Sequence, residues 1–119
     1  MKPGSTIINV ASIQAYDPSP DLLVYASTKG AIVTFTKALS TMAIKQGVRV
    51  NCVAPGPIWT PLIPSTMPQE RVAHFGENTP TGRAGQPAEL APIFVFLASQ
   101  ESSYITGEIM GVTGGMPLG

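Results

Sequence analysis

The sequence predicts an α/β domain built on a doubly wound parallel sheet, and three observations predict it. Two short β-branched runs, STIINVAS at 5–12 and VRVNCVAPG at 48–56, carry few charges, as strands buried on both faces of a parallel sheet do. Between them lies one stretch of helical periodicity, the crossover that joins two parallel strands. The composition supplies a core: 44% of the 119 residues are hydrophobic, 12% are charged, and the mean hydropathy is +0.22. A chain of this length is one domain or part of one.

The elements follow in order. After the first strand, SIQAYDPSPDLL contains Pro18 and Pro20, which disfavour a continuous helix or a central strand, so a loop is expected. From about Tyr25 to Gln46, Ile32, Phe35, Leu39 and Met42 recur at three- and four-residue steps, and Gly47 stands where a helix end favours a left-handed residue. The second strand is ended by Pro55, Gly56 and Pro57. Five prolines between Pro55 and Pro68 then predict an irregular surface segment. Thr66, with Gln69 three positions on, suggests a capped short helix reaching about Phe75. TPTGRAGQP reads as a turn-rich link. Pro87 suits the first turn of a helix to about Ser99 that places Leu90, Phe94 and Leu97 on one face. Pro92 lacks the N–H for the preceding turn, so a bend is expected there, or a helix that becomes regular only after it. A third strand spans about Glu108 to Val112, closed by Gly114 and Gly115.

Charge and composition narrow the function classes. Seven Lys and Arg balance seven Asp and Glu, and no basic run neutralises phosphates, so nucleic acid is not an expected partner. Cys52 is the one cysteine, which leaves no disulfide framework or zinc cluster within the chain and suits a reducing compartment. No apolar stretch approaches the roughly 18 residues of a membrane span, and MKPGST lacks the apolar run of a signal peptide. A soluble, cytoplasmic protein with no membrane partner is the expectation. His74 has no companion for a metal or a triad and reads as a surface or hydrogen-bonded histidine. Cys52 reads as an inert buried thiol and Arg83 as a structural residue.

The chemistry concentrates at Tyr25 and Lys29. A tyrosine and a lysine four positions apart say little alone, but on a helix they lie on one face and can enter the same cleft. An adjacent ammonium lowers the pKa of a phenol from about 10, which makes Tyr25 a candidate general acid–base. Ser12 lies at the carboxyl end of the first strand, where open α/β sheets bind their ligands, and its hydroxyl could hold a carbonyl oxygen that Tyr25 protonates.

Ser12, Tyr25 thirteen positions later, Lys29, NCVAPGPIWTP, GRAGQPAEL and ITGEIMGVTGG occur in an order that resembles the catalytic half of the short-chain dehydrogenases/reductases. The resemblance covers essentially the whole chain. It is closest in form to bacterial members described as glucose- or ribitol-dehydrogenase-like or as general stress oxidoreductases. It implies a Rossmann-like fold, here its C-terminal portion, and hydride transfer between NAD or NADP and an alcohol or carbonyl substrate, with a sugar or polyol as one class.

By the resemblance, Tyr25 would pass the proton, Lys29 would lower the Tyr25 pKa and bind the nicotinamide ribose, and Ser12 would hold the substrate oxygen. Pro55, Gly56 and Ile58 would line the nicotinamide, Ile58 binding its carboxamide, and Thr60 would approach the cofactor phosphates. Gln14 would contact substrate. Trp59 would line the pocket or merely anchor its loop, and Tyr16 would touch substrate or only pack. The loop after Thr60 would be a mobile cover. A homo-oligomer, dimer or tetramer, would form through the helix of residues 87–99 and the last strand.

The twelve glycines form no G-x-x-x-G-x-G after a strand, so the phosphate-binding turn of the family is absent from these residues. The expectation is a chain truncated ahead of its first strand, which alone does not hold a dinucleotide tightly. The alternative is a non-catalytic remnant that acts only as an association module.

Overall fold

The computed structural model describes residues 1–119. Three parallel strands, β1 (Thr6–Val10), β2 (Arg49–Pro55) and β3 (Ile109–Val112), form one sheet in the order β1-β2-β3. Ile7 pairs with Val50 and Val10 with Val53, while Val53 pairs with Met110. The long helix α1 (Leu23–Ala43) makes the β1 to β2 crossover. Two short helices, α2 (Leu62–Thr66) and α3 (Gln69–Ala73), and then α4 (Pro87–Ala98) lie between β2 and β3. The expected α/β class, parallel sheet and Rossmann-like arrangement are all present.

Burial separates the two expected strands. β2 has a partner on each edge and is buried from Arg49 to Ala54. β1 departs from the expectation of burial on both faces: its residues are half-buried and Val10 is exposed. It pairs on one edge alone. Ser5 O accepts from Arg49 N and Ala11 N donates to Val53 O, so the odd-numbered residues direct their peptide groups at β2. The alternation of a parallel ladder therefore turns those of Thr6, Ile8 and Val10 outward.

Helix α1 forms as predicted, but its buried stripe is another one. Ala26, Val33, Thr36 and Ser40 face the sheet, whereas Phe35 is 58% and Met42 67% exposed. Small side chains let the helix approach β2 closely, and the polar ones are satisfied locally. Thr36 Oγ1 donates to Ile32 O at 2.8 Å and accepts from Asn9 Nδ2 at 3.0 Å. Ala11, Val33 and Cys52 form the core cluster, with Tyr16, Ile32 and Ile109 packed against it. Gly47 ends the short 3-10 turn after α1 at φ +75, as the left-handed position requires.

Two proline expectations need correction. The segment after β2 is not wholly irregular, because α2 includes Pro64 at its third position, where the N–H would have no intrahelical acceptor anyway. Thr66 caps nothing at the start of α3. Its hydroxyl donates backward to Leu62 O at 2.6 Å, and Pro68 occupies the N-cap. Pro92 does not delay α4, which is helical on both sides of it. The helix runs from Pro87, and the Ala88 carbonyl deprived of its bond lies on an exposed face where water can serve it.

At the amino end of β2, the guanidinium of Arg49 is buried and binds α4 and the turn after it. It donates to Leu97 O, Ser99 O, Ile105 O and both oxygens of Ser102. These include the free carbonyls of a helix carboxyl end, which attract a cation.

Candidate active site

The carboxyl ends of β1 and β2 and the first turns of α1 converge on the predicted residues. Tyr25 and Lys29 share one face of α1, with the Lys29 ammonium 5.5 Å from the centre of the Tyr25 ring, within cation–π range. Tyr25 is about half exposed, and its hydroxyl makes no hydrogen bond within the chain. Lys29 Nζ also donates to Val10 O at 3.2 Å. That carbonyl is one of the outward-facing groups of β1, so the end of the strand holds the ammonium from one side while the phenol holds it from the other.

Ser12 lies just past β1 and is 7% exposed. Its Oγ accepts from Gln14 N at 3.1 Å, capping the 3-10 turn Ile13–Ala15 on which α1 packs. A hydroxyl has one proton to give and two lone pairs. The cap uses a lone pair, so the Ser12 proton is left for an outside acceptor. Gln14 is engaged in the loop, since its Oε1 accepts from Ser19 N at 2.8 Å. Its amide N–H groups have no partner within the chain.

Beyond β2, Gly56 N donates to Val112 O at 2.9 Å, and a Cβ on Gly56 would lie 2.9 Å from Thr113 Cα. Glycine is required there by the closeness of two strand ends. Ile58 bridges Gly85 in parallel: Gly85 donates to Pro57 O and accepts from Trp59 N. The Ile58 N–H and C=O therefore point the other way and have no partner in the chain. One free donor beside one free acceptor matches the complementary pair of a carboxamide. Trp59 anchors the loop, its ring edge-on to Phe75 at 5.1 Å between centres. Thr60 is exposed at the entry to α2, its carbonyl accepting from Ile63 N.

A cleft of about 180 Å³ is lined by Pro57, Ile58, Arg83, Glu89 and Thr113 among others. It shares Ile58 with the expected nicotinamide lining but includes none of Ser12, Tyr25 and Lys29. Arg83 and Glu89 are paired through both oxygens at 2.8 Å, and Glu89 also accepts from Gln86 N. The Arg83 guanidinium, followed by the Gln86 N–H, holds the Glu89 carboxyl down at about 2. Arg83 is thus committed to the structure, as its position in a turn-rich link suggested.

Near the site, burial raises the Tyr16 phenol above its usual range, the Cys52 charge adding to the effect. Burial raises the Cys52 thiol, against a smaller opposing influence of Lys29. His74 sits on the surface with Glu77 at 3.0 Å. No group of three or more His, Cys, Asp or Glu side chains could hold a metal ion, and no helix is long and apolar enough to cross a membrane.

A family model described as enoyl-(acyl carrier protein) reductase matches residues 1–117. The chain belongs to the short-chain dehydrogenase/reductase family. General stress protein 39 of Bacillus subtilis is 56% identical over 115 residues, which are 97% of this chain and 40% of that protein. The glucose and ribitol dehydrogenase homolog of Oryza sativa is 56% identical over 113 residues, 95% of this chain and 38% of that one. The likeness to stress and glucose/ribitol-dehydrogenase members read from the sequence is therefore present. Among solved structures, 3-ketoacyl-(acyl-carrier-protein) reductase from Brucella melitensis complexed with NADH superposes with a TM-score of 0.83 at 38% identity, over 92% of this chain and 43% of that one. The chain thus spans about 40% of the length of the curated relatives it matches.

Two features of this short-chain dehydrogenase/reductase site escaped the sequence reading. The Val10 carbonyl as a holder of Lys29 could have been inferred from strand parity, since Val10 is even-numbered and Ala11 faces β2. Gly85 had a weaker signal, a glycine in a turn-rich link, and only the bridge to Ile58 gives it meaning.

Proposed function

We propose that residues 1–119 form the catalytic portion of a Rossmann-like oxidoreductase that moves a hydride between NAD or NADP and an alcohol or carbonyl substrate, a sugar or polyol being the favoured class. The observation that carries this is Lys29 Nζ held between the Val10 carbonyl and the Tyr25 ring. In the reducing direction, the free proton of Ser12 fixes the substrate oxygen, and the Tyr25 hydroxyl gives its proton to that oxygen as the carbonyl carbon gains hydride. The Lys29 ammonium, held beside the Tyr25 ring by the Val10 carbonyl, would bind the ribose. The hydride itself is chemistry that a nicotinamide supplies when bound. The unpartnered N–H and C=O of Ile58 suit its carboxamide, with Pro55 and Gly56 shaping the wall and Thr60 at the phosphate side. Gln14 and Trp59 border the substrate, Gln14 through its amide N–H groups. The segment after Thr60 covers the site.

Calorimetry with NAD⁺ and NADP⁺, each titrated into the purified 119-residue chain, tests the reading. Saturable heat with either nucleotide supports it, and Tyr25→Phe should keep that binding while losing turnover of alcohols and sugars. A folded chain that binds neither nucleotide favours a second reading, a non-catalytic association module. The exposed apolar side chains, Val95 of α4 among them, speak for that one. Light scattering that shows a dimer or tetramer through α4 and β3 would accompany it.

A further inference from the structure

The segment between β2 and α4 is secured at its base and at one point far from it. At the base, the Ile58–Gly85 bridge brings its two ends together, and the Trp59–Phe75 contact ties its start to the turn after α3. Within it, α2 and α3 pack mainly on each other. The far point is Arg71 of α3, whose Nη2 lies 3.9 Å from Asp21 Oδ2. The chain's other two ion pairs, His74–Glu77 and Arg83–Glu89, join near neighbours in sequence. Arg71–Asp21 alone crosses between distant segments. Asp21 stands in the 3-10 turn Pro20–Leu22, directly ahead of α1 and four positions before Tyr25.

We propose that Asp21 and Arg71 form an ionic latch that ties the α2–α3 segment to the amino end of the Tyr25 helix, with the Trp59–Phe75 contact as its hinge. The inference deepens the reading of this segment as the cover of the site and rests on it. Both side chains are exposed, so the latch is weak by design and sensitive to salt. A pair of this kind changes the ratio of closed to open forms by up to about fivefold, enough to set how often the cover opens without locking it. Both partners lie outside the proton-transfer residues, so they position the cover and do no chemistry.

Trp59 is the one tryptophan and touches Phe75, four residues after Arg71, so its emission reports on the hinge. Acrylamide quenching of Trp59 in the full chain, without nucleotide or substrate, tests the latch independently of any activity. Asp21→Asn and Arg71→Gln should each raise the quenching constant, by up to about fivefold. The exchange of both charges, Asp21→Arg with Arg71→Asp, should restore the original value. Raising salt from about 0.02 M to about 1 M should open the wild type and leave the single variants unchanged. Wild-type quenching that is indifferent to salt, single variants that quench like the wild type, or an exchange that fails to restore would each overturn the proposal. Loss of nucleotide binding with an intact latch response would instead count against the hydride-transfer reading alone.

Discussion

Arg49 closes on Ser102 from the far end of the sheet: one guanidinium nitrogen donates to both the carbonyl and the hydroxyl of Ser102 at 2.9 Å. The other nitrogen takes Leu97 O and Ser99 O, so all the partners of this buried cation are neutral oxygens. Arg49→Met is expected to strand several buried acceptors and to cost about 2–3 kcal/mol in chemical denaturation. Arg49→Lys should recover only part of this, because a compact ammonium with three donors cannot span the same set.

At the other end of the sheet, Tyr25→Phe removes a hydroxyl that supports no part of the fold. Far-ultraviolet circular dichroism and the denaturation midpoint should be unchanged. Turnover should fall by about 10²–10⁴, the range for a lost general acid–base. A variant that keeps its rate would remove Tyr25 from the chemistry.

Gly56→Ala tests the closeness of the two strand ends. Its new methyl would meet the Thr113 backbone, which cannot rotate aside as a side chain could. The expected cost is about 1–3 kcal/mol of stability, read by denaturation.

Acid should weaken the link between Arg83 and α4. The Glu89 carboxyl titrates at about 2 in the folded chain, below its unfolded value, so its contribution is whole above the unfolded pKa of about 4.3. It is lost as pH falls from there through about 2. Thermal melting of the wild type should decline over that window more steeply than that of Glu89→Gln, and the two should converge at the acid end.

Much of this was legible in the sequence because it rests on local signals. VRVNCVAPG became β2 almost residue for residue, being apolar, β-branched and bounded by Gly47 and Pro57. The shared helix face of Tyr25 and Lys29 was legible through their spacing, and the place of Ser12 through the strand before it. The buried stripe of α1 was not, because hydropathy favours Phe35 and Met42, while the helix buries Val33 together with the small side chains of Ala26, Thr36 and Ser40. Thr36 is buried through two hydrogen bonds that no periodicity encodes. The proline-rich segment misled for a related reason: Pro64 sits where a helix has no bond to lose, which depends on the position of the helix start. Distance in sequence hid the rest, Arg71 with Asp21 and Gly85 with Ile58 above all.

The one thiol lies at full burial in the middle of the central strand, and its surroundings keep it protonated. An alkylating reagent can therefore react only with molecules whose sheet has come apart around Cys52. The pace of that reaction is a clock for such excursions, running without added label. It would tell a chain that holds together by itself from one that waits for company.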